Sequence, residues 1–183
     1  MTRRLLTLLV VSALAAAPSA LSAQLSTGLS IAGGISLPKG EGSSDTESGF
    51  NGALGLNIGA PLLPVGFRLE GAYNGWNAKS SSLPAGYSGN ANIISGTANA
   101  TVGLGLPYLI GGLGYYRVKS ELKGGALAST NTQNAMGYNV GAGVRFPLGV
   151  MSTFVEARYH KMMGDKNKGA DASYIPITFG IQF

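Results

Sequence analysis

From residue 28 to the last residue, apolar positions alternate with small or polar ones at a period of two, the side-chain period of a β-strand. Eight such segments are separable. Gly28–Leu37 sets Leu29, Ile31, Ile35 and Leu37 against Ser30, Ala32, Gly34 and Ser36. Phe50–Gly59 sets Phe50, Leu54, Leu56 and Ile58 against Asn51, Ala53, Gly55 and Asn57, and Val65–Trp76 sets Val65, Phe67, Leu69 and Tyr73 against Arg68, Glu70 and Asn74. In Asn92–Val102, Ile94, Ala98, Ala100 and Val102 share a face, with Ser95, Thr97, Asn99 and Thr101 on the other. Tyr108–Val118 is so glycine-rich that its facing is ambiguous; the pattern favours Tyr108, Ile110, Tyr116 and Val118 outward. Met136–Phe146 alternates most cleanly, Met136, Tyr138, Val140, Ala142, Val144 and Phe146 against Gly137, Asn139, Gly141, Gly143 and Arg145. Met151–Lys161 opposes Val155, Ala157 and Tyr159 to Glu156, Arg158 and His160, and Tyr174–Phe183 aligns Ile175, Ile177, Phe179, Ile181 and Phe183.

Segments of about 10 to 12 residues have the length a tilted strand needs to cross a hydrocarbon layer. The connections alternate in length. Pro38–Gly49, Asn77–Ala91, Lys119–Ala135 and Met162–Ser173 are long and polar, whereas Ala60–Pro64, Gly103–Pro107 and Pro147–Val150 are short. Short turns on one rim and long loops on the other, with an even strand count, predict an all-β, eight-stranded antiparallel up-and-down transmembrane β-barrel. A soluble barrel of the same size would turn its apolar face inward and its charges outward. Here the non-apolar face is mostly Gly, Ser, Ala, Asn and Thr, too sparsely charged to be a water-facing surface and small enough for a narrow lumen.

The N-terminus places this barrel in an exported chain. Arg3 and Arg4 precede the apolar run Leu5–Ala17, and Pro18–Ala23 supplies small residues for cleavage after Ala23. Residues 1–23 are thus expected to be a signal peptide and 24–183 the barrel domain. The apolar run is shorter than the roughly 20 residues of a spanning helix. Its removal takes two arginines and lowers the formal charge from +5 to +3, too weak and scattered to suggest a nucleic-acid partner. With no cysteine there is neither a disulfide framework nor a thiolate site. Glycine is abundant at 29 residues while only 11% of residues are charged, and no stretch after the signal is long and apolar enough for a membrane helix. A closed barrel is then the spanning structure that satisfies every backbone polar group.

Several stretches resemble a known family. Ile175-Pro176-Ile177-Thr178-Phe179-Gly180-Ile181-Gln182-Phe183 resembles the C-terminal signature of outer-membrane proteins. Arg68–Tyr73, Pro107–Gly114, Tyr138–Phe146 and Val155–Tyr159 are similar to strands of the OmpA/OmpX/opacity-like small outer-membrane barrels. The resemblance covers the mature chain and implies residence in the cell outer membrane of a Gram-negative-type envelope. It also implies contact with outer-membrane lipid and lipopolysaccharide, and handling by periplasmic chaperones and the barrel-assembly machinery. Ile177, Phe179, Ile181 and Phe183 would carry the assembly signature. With the sequence ending at Phe183, the peptidoglycan-binding domain of the OmpA arrangement is not expected.

The inward charges carry the remaining chemistry. Arg68 and Glu70 on the third strand and Glu156 and Arg158 on the seventh face one another across an eight-stranded barrel, with Arg145 nearer the short-turn rim. Unpaired charges in a narrow lumen are costly, so alternating signs predict a salt-bridged structural plug rather than a charge-lined pore. His160 shares a face with Glu156 but stands about 13 Å along the strand from it, beyond a hydrogen bond, and no motif marks a serine nucleophile. No enzyme activity and no cofactor are expected. Neither the run Glu41–Glu47 nor Asp165 and Asp171 has calcium-loop spacing, so no metal site is expected. Aromatic girdles are predicted from Tyr108, Phe146, Phe179 and Phe183 at one interface and Phe50, Tyr73, Tyr138 and Tyr159 at the other. A structural or surface-interaction barrel with four external loops is the expected function, a narrow small-solute channel the alternative, and a lipid-modifying enzyme the third possibility. The external ligand is not legible.

Overall fold

A computed structural model describes residues 26–40, 43–59, 64–124, 127–164 and 171–183. Residues 1–23, read as the signal peptide, and the loop residues Glu41, Asp165, Lys166 and Lys168 lie outside the described residues. Eight strands follow one another: β1 (Ser26–Lys39), β2 (Gly49–Gly59), β3 (Val65–Asn77), β4 (Tyr87–Gly103), β5 (Pro107–Gly124), β6 (Leu127–Leu148), β7 (Met151–Met163) and β8 (Ser173–Gln182). Each pairs antiparallel with its neighbour in sequence, and β1 pairs with β8 from Ser30↔Gln182 to Lys39↔Ser173, closing the sheet into a barrel with no free edge. Among the described residues no helix is long and apolar enough to cross a membrane.

Side chains are distributed inside-out. Outward positions such as Leu29, Leu54, Phe67, Val140 and Phe179 are exposed, while Asn51, Arg68, Glu70, Asn99, Asn139, Glu156, Arg158 and His160 are buried in the bore. A water-soluble domain does the reverse, and lipid is the medium in which this arrangement is stable. The expected faces hold for β1–β4 and β6–β8 at these positions. On β5 they are inverted. Tyr108, Ile110, Tyr116 and Val118 point into the lumen, whereas Leu109, Leu113 and Tyr115 face outward at 52%, 64% and 53% exposure. Both faces of β5 are apolar, so alternation alone does not orient it; the register with its neighbours does. Tyr108 lies opposite Gly103 and Gly143, and Tyr116 opposite Ser95 and Ala135, so the large inward rings stand beside small residues. The same parity sends Arg117 and Lys119 outward, away from a bore that already holds three arginines. Tyr108 therefore leaves the predicted girdle, and Tyr115 stands on the outward face at the other end of the strand. Phe50 and Tyr73 stack outside at 5.6 Å between ring centroids.

The two rims also differ from simple loops. At the short-turn rim, Gly149 with φ 65° and Gly105 with φ 98° take the left-handed conformations that tight reversals require. At the long-loop rim, the connection read as a loop from Lys119 to Ala135 is largely strand: β5 and β6 stay paired up to Gly124↔Leu127. The first two long loops are tied together. Thr46 bridges Ala78, Glu47 N donates to Asn77 O at 2.9 Å, Lys79 N to Asp45 O at 2.8 Å, and Ser82 Oγ to Asp45 Oδ1 at 2.9 Å.

Candidate functional site

The bore is occupied at two levels. The first is a charged layer built by β3 and β7, which stand on opposite sides of the eight-stranded ring. Alternation points Arg68 and Glu70 inward from one side and Glu156 and Arg158 inward from the other. Arg68 Nη1 lies 2.9 Å from Glu156 Oε2 and 3.7 Å from Glu70 Oε2, while Arg158 Nε lies 2.7 Å from Glu156 Oε1. Arg158 Nη2 also pairs with Glu70 Oε1. All four residues are at least nine-tenths buried, so each ion depends on its neighbours rather than on water.

Neutral groups complete this layer. Tyr108 Oη donates to Glu156 Oε2 at 2.6 Å, and Arg68 Nε donates to Asn57 Oδ1 at 2.8 Å. Asn57 in turn donates to Ser30 Oγ at 3.0 Å, and Asn139 to Asn99 Oδ1 at 2.8 Å. The Arg68 guanidinium lies 5.1 Å from the Phe154 ring centroid. Charge-assisted hydrogen bonds of this kind are the stronger class. Arg145 stands apart from the four. Its guanidinium sits 5.0 Å from the centroid of the Tyr108 ring, and among the described residues no carboxylate pairs with it. Gly143 makes room for this arrangement: a Cβ there would come within 2.6 Å of the Tyr108 ring carbon and hydroxyl.

The second level, toward the long-loop rim, is aromatic and apolar. Trp76, Ile93, Tyr116, Val118, Ala135, Met162 and Tyr174 form one buried cluster. His160 stacks on Tyr174 at 4.7 Å and 13° between planes, and Trp76 meets Tyr174 edge-on at 5.3 Å. Trp76 Nε1 donates to Ser36 O at 2.9 Å, and His160 Nδ1 lies 3.1 Å from Tyr116 Oη. His160 is thus built into a ring stack, with a tyrosine rather than a serine at its Nδ1. Among the described residues no group of three or more His, Cys, Asp or Glu could hold a metal ion.

The two layers separate two vestibules. One, of about 540 Å³, opens at the short-turn rim over Tyr108, Arg145 and Asn57. The other, of about 300 Å³, opens at the long-loop rim over Trp76, Ile93, Val118 and Tyr174. Sequence reasoning passed over the aromatic layer. Its signal was parity: Trp76 shares a face with Arg68, Glu70 and Asn74, and Tyr174 the face opposite Ile175 and Ile177. Ile177, Phe179, Ile181 and Phe183 all face outward and are exposed.

Solved structures share this architecture. Neisserial surface protein A is 12% identical, with a TM-score of 0.58 over 86% of this chain and 97% of that one. A major outer membrane protein of Thermus thermophilus is 14% identical, with a TM-score of 0.65 over 86% and 98%. Ail, the attachment invasion locus protein of Yersinia pestis, is 16% identical, with a TM-score of 0.55 over 87% and 99%. At these identities the likeness is one of fold. Among curated proteins none matches the sequence significantly. The family model for the outer membrane protein beta-barrel domain matches residues 6–183, nearly the whole sequence, and with the closed eight-stranded barrel it shows that the chain belongs to that family and resides in the outer membrane.

Proposed function

We propose that the protein is a structural and surface-interaction barrel, a rigid membrane cylinder with a blocked bore that holds its long loops outside the cell. The observation that carries this reading is the double layer in the lumen, four buried charges paired across the bore and a cluster of three contacting rings, His160, Tyr174 and Trp76, beyond them. A conduit would need a continuous aqueous path, and side chains readily fill an eight-stranded interior. The tie between the first two loops supports a presented surface of fixed shape, since their backbone bonds hold Asp45 and Lys79 together. Single-channel recording in planar bilayers tests the reading: the wild-type barrel should show no large, stable openings, and sustained conductance would overturn it.

The alternative, a narrow channel for small solutes, draws on the vestibules at both mouths. It predicts small, stable conductance steps that grow when Trp76 or Tyr174 is reduced to alanine. For biogenesis, Ile177, Phe179, Ile181 and Phe183 offer an apolar outward stripe on the last strand, suited to the barrel-assembly machinery and its chaperones, and cleavage after Ala23 would precede that step. The lipid partners would be those of the outer membrane, lipopolysaccharide among them.

A further inference from the structure

The outward wall of β3, β4 and β5 is not smooth. Gly71 and Gly96 lie side by side across the β3–β4 pair, and both point outward. In the same row Leu54 precedes them on β2 and Tyr115 follows on β5. Leu69 and Leu113 flank the row toward the short-turn rim. The missing side chains deepen an open apolar surface hollow of about 880 Å³ that extends from Leu29 and Ile31 on β1 to Met136 on β6. A Cβ built at Gly71 or at Gly96 would meet nothing within 4 Å, so the space is open and not a packing requirement of the barrel.

Directly above the groove the same face turns basic. Two residues beyond Tyr115 comes Arg117, opposite Ile94, and two beyond that Lys119, opposite Asn92. Each step is roughly 7 Å along the strand. Lys119 and Lys123 share one carboxylate, Glu121, while Arg117 has no carboxylate partner among the described residues. Three cations thus face one anion. At comparable height on β7 the outward Lys161 is matched by Asp171. Tyr115 and Tyr73 mark the level at which hydrocarbon gives way to headgroups. Apolar groove below, unbalanced cations above, the boundary between them: that is the profile of a lipid with a negatively charged head.

We propose that this wall is a binding site for a phosphorylated, multiply acylated lipid of the outer leaflet, with an acyl chain in the Gly71–Gly96 groove and a phosphate on Arg117 and Lys119. The assignment deepens the lipid partnership proposed above and rests on the long-loop rim facing outward. Arg117 offers a planar fork for phosphate oxygens, and Lys119 a point charge beside it.

The test is a titration of the folded, detergent-solubilised barrel followed by native mass spectrometry, with bis-phosphorylated lipid A and its dephosphorylated counterpart as probes. Removing cations in R117Q/K119Q should weaken lipid A binding roughly fivefold for each charge and leave the dephosphorylated lipid unaffected. Filling the groove in G71L/G96L should weaken both lipids. The control K161Q should change neither. Folding of each variant is checked by heat-modifiable electrophoresis, and if the groove variant fails to fold, R117Q/K119Q still decides. Equal lipid A binding by wild type and R117Q/K119Q would overturn the site, as would an equal loss in K161Q, which would mean a rim charge effect alone. Neither result bears on the blocked bore, which conductance measures separately.

Discussion

Replacing Glu156 with alanine removes the hub of the charged layer. Arg68 would lose its 2.9 Å partner and keep only Glu70 at 3.7 Å, while Arg158 would lose its 2.7 Å contact and keep Glu70. The Tyr108 hydroxyl would lose its acceptor. Two buried guanidinium groups would then share one carboxylate. Breaking a buried pair by removing one partner costs about 3–5 kcal/mol, and here one positive charge is left in the bore without a balancing carboxylate. Glu156→Gln keeps the volume and an acceptor for Tyr108, so its cost should be smaller, about 1.5–3 kcal/mol for the loss of the charge-assisted bonds. The informative variant is the double one. Arg68→Met with Glu156→Leu removes a cation and an anion together, leaves Glu70 with Arg158, and should be less destabilised than Glu156→Ala alone. Urea unfolding in lipid vesicles reads these differences, and Trp76 is a convenient reporter: it is the only tryptophan and lies buried in the lumen. If Glu156→Ala unfolds within about 0.5 kcal/mol of wild type, the spread seen for sites without special contacts, the pairing is not what stabilises the bore.

Further outcomes follow from the same geometry. Gly143→Val should force the Tyr108 ring from its place and cost about 1–3 kcal/mol as overpacking, seen as a lowered melting temperature in heat-modifiable electrophoresis. Arginine at lipid-facing Val140 should destabilise the barrel by about 2–4 kcal/mol, and a bilayer-confined photoprobe should label Val140 and Ala157 while sparing Asn139 and Arg158. On the β5–β6 hairpin above the membrane, hydrogen bonds and charge from Lys119 and Lys123 hold the Glu121 carboxyl below its usual range. A depressed carboxylate contributes order above its unfolded pKa and loses it as pH falls through the folded one. Amide protection across Lys119–Lys123, taken relative to the intrinsic exchange rate at each pH, should therefore stay constant from pH 8 to about pH 5 and fall only on acidification below about 4.3.

How much of this was readable from the sequence depended on where polar residues fell. On β7, Glu156, Arg158 and His160 mark the inner face so plainly that alternation fixes Val155 and Ala157 as outward, and on β6 Asn139 and Arg145 do the same. Opposition of β3 and β7 then follows from the count of eight strands, which is why the four paired charges could be brought together without coordinates. β5 gave no such mark below Arg117. Glycine and tyrosine occur on both of its faces, with isoleucine inside and leucine outside, and only the pairing partners, Gly103 and Gly143 beside Tyr108, decide which rings go inside. The length of the β5–β6 hairpin was hidden for a different reason. Above the hydrocarbon both faces meet water, so Ser129, Thr130, Asn131 and Thr132 need not alternate, and the ladder is maintained by backbone bonds that leave no trace in side-chain type. The tyrosine and tryptophan cluster was hidden because aromatic residues suit a membrane boundary as well as a plugged bore.

The seam between β1 and β8 has one more implication, for the order of events when the molecule is made. Ser30 meets Gln182 and Ile31 meets Ile181, so the first strand of the barrel finds its partner only in the eighth. No shorter precursor can complete the ring, and until the final strand arrives two rows of backbone amides and carbonyls lack mates. The ring therefore closes through its most non-local pairing, and contacts of such long sequence separation make folding slow.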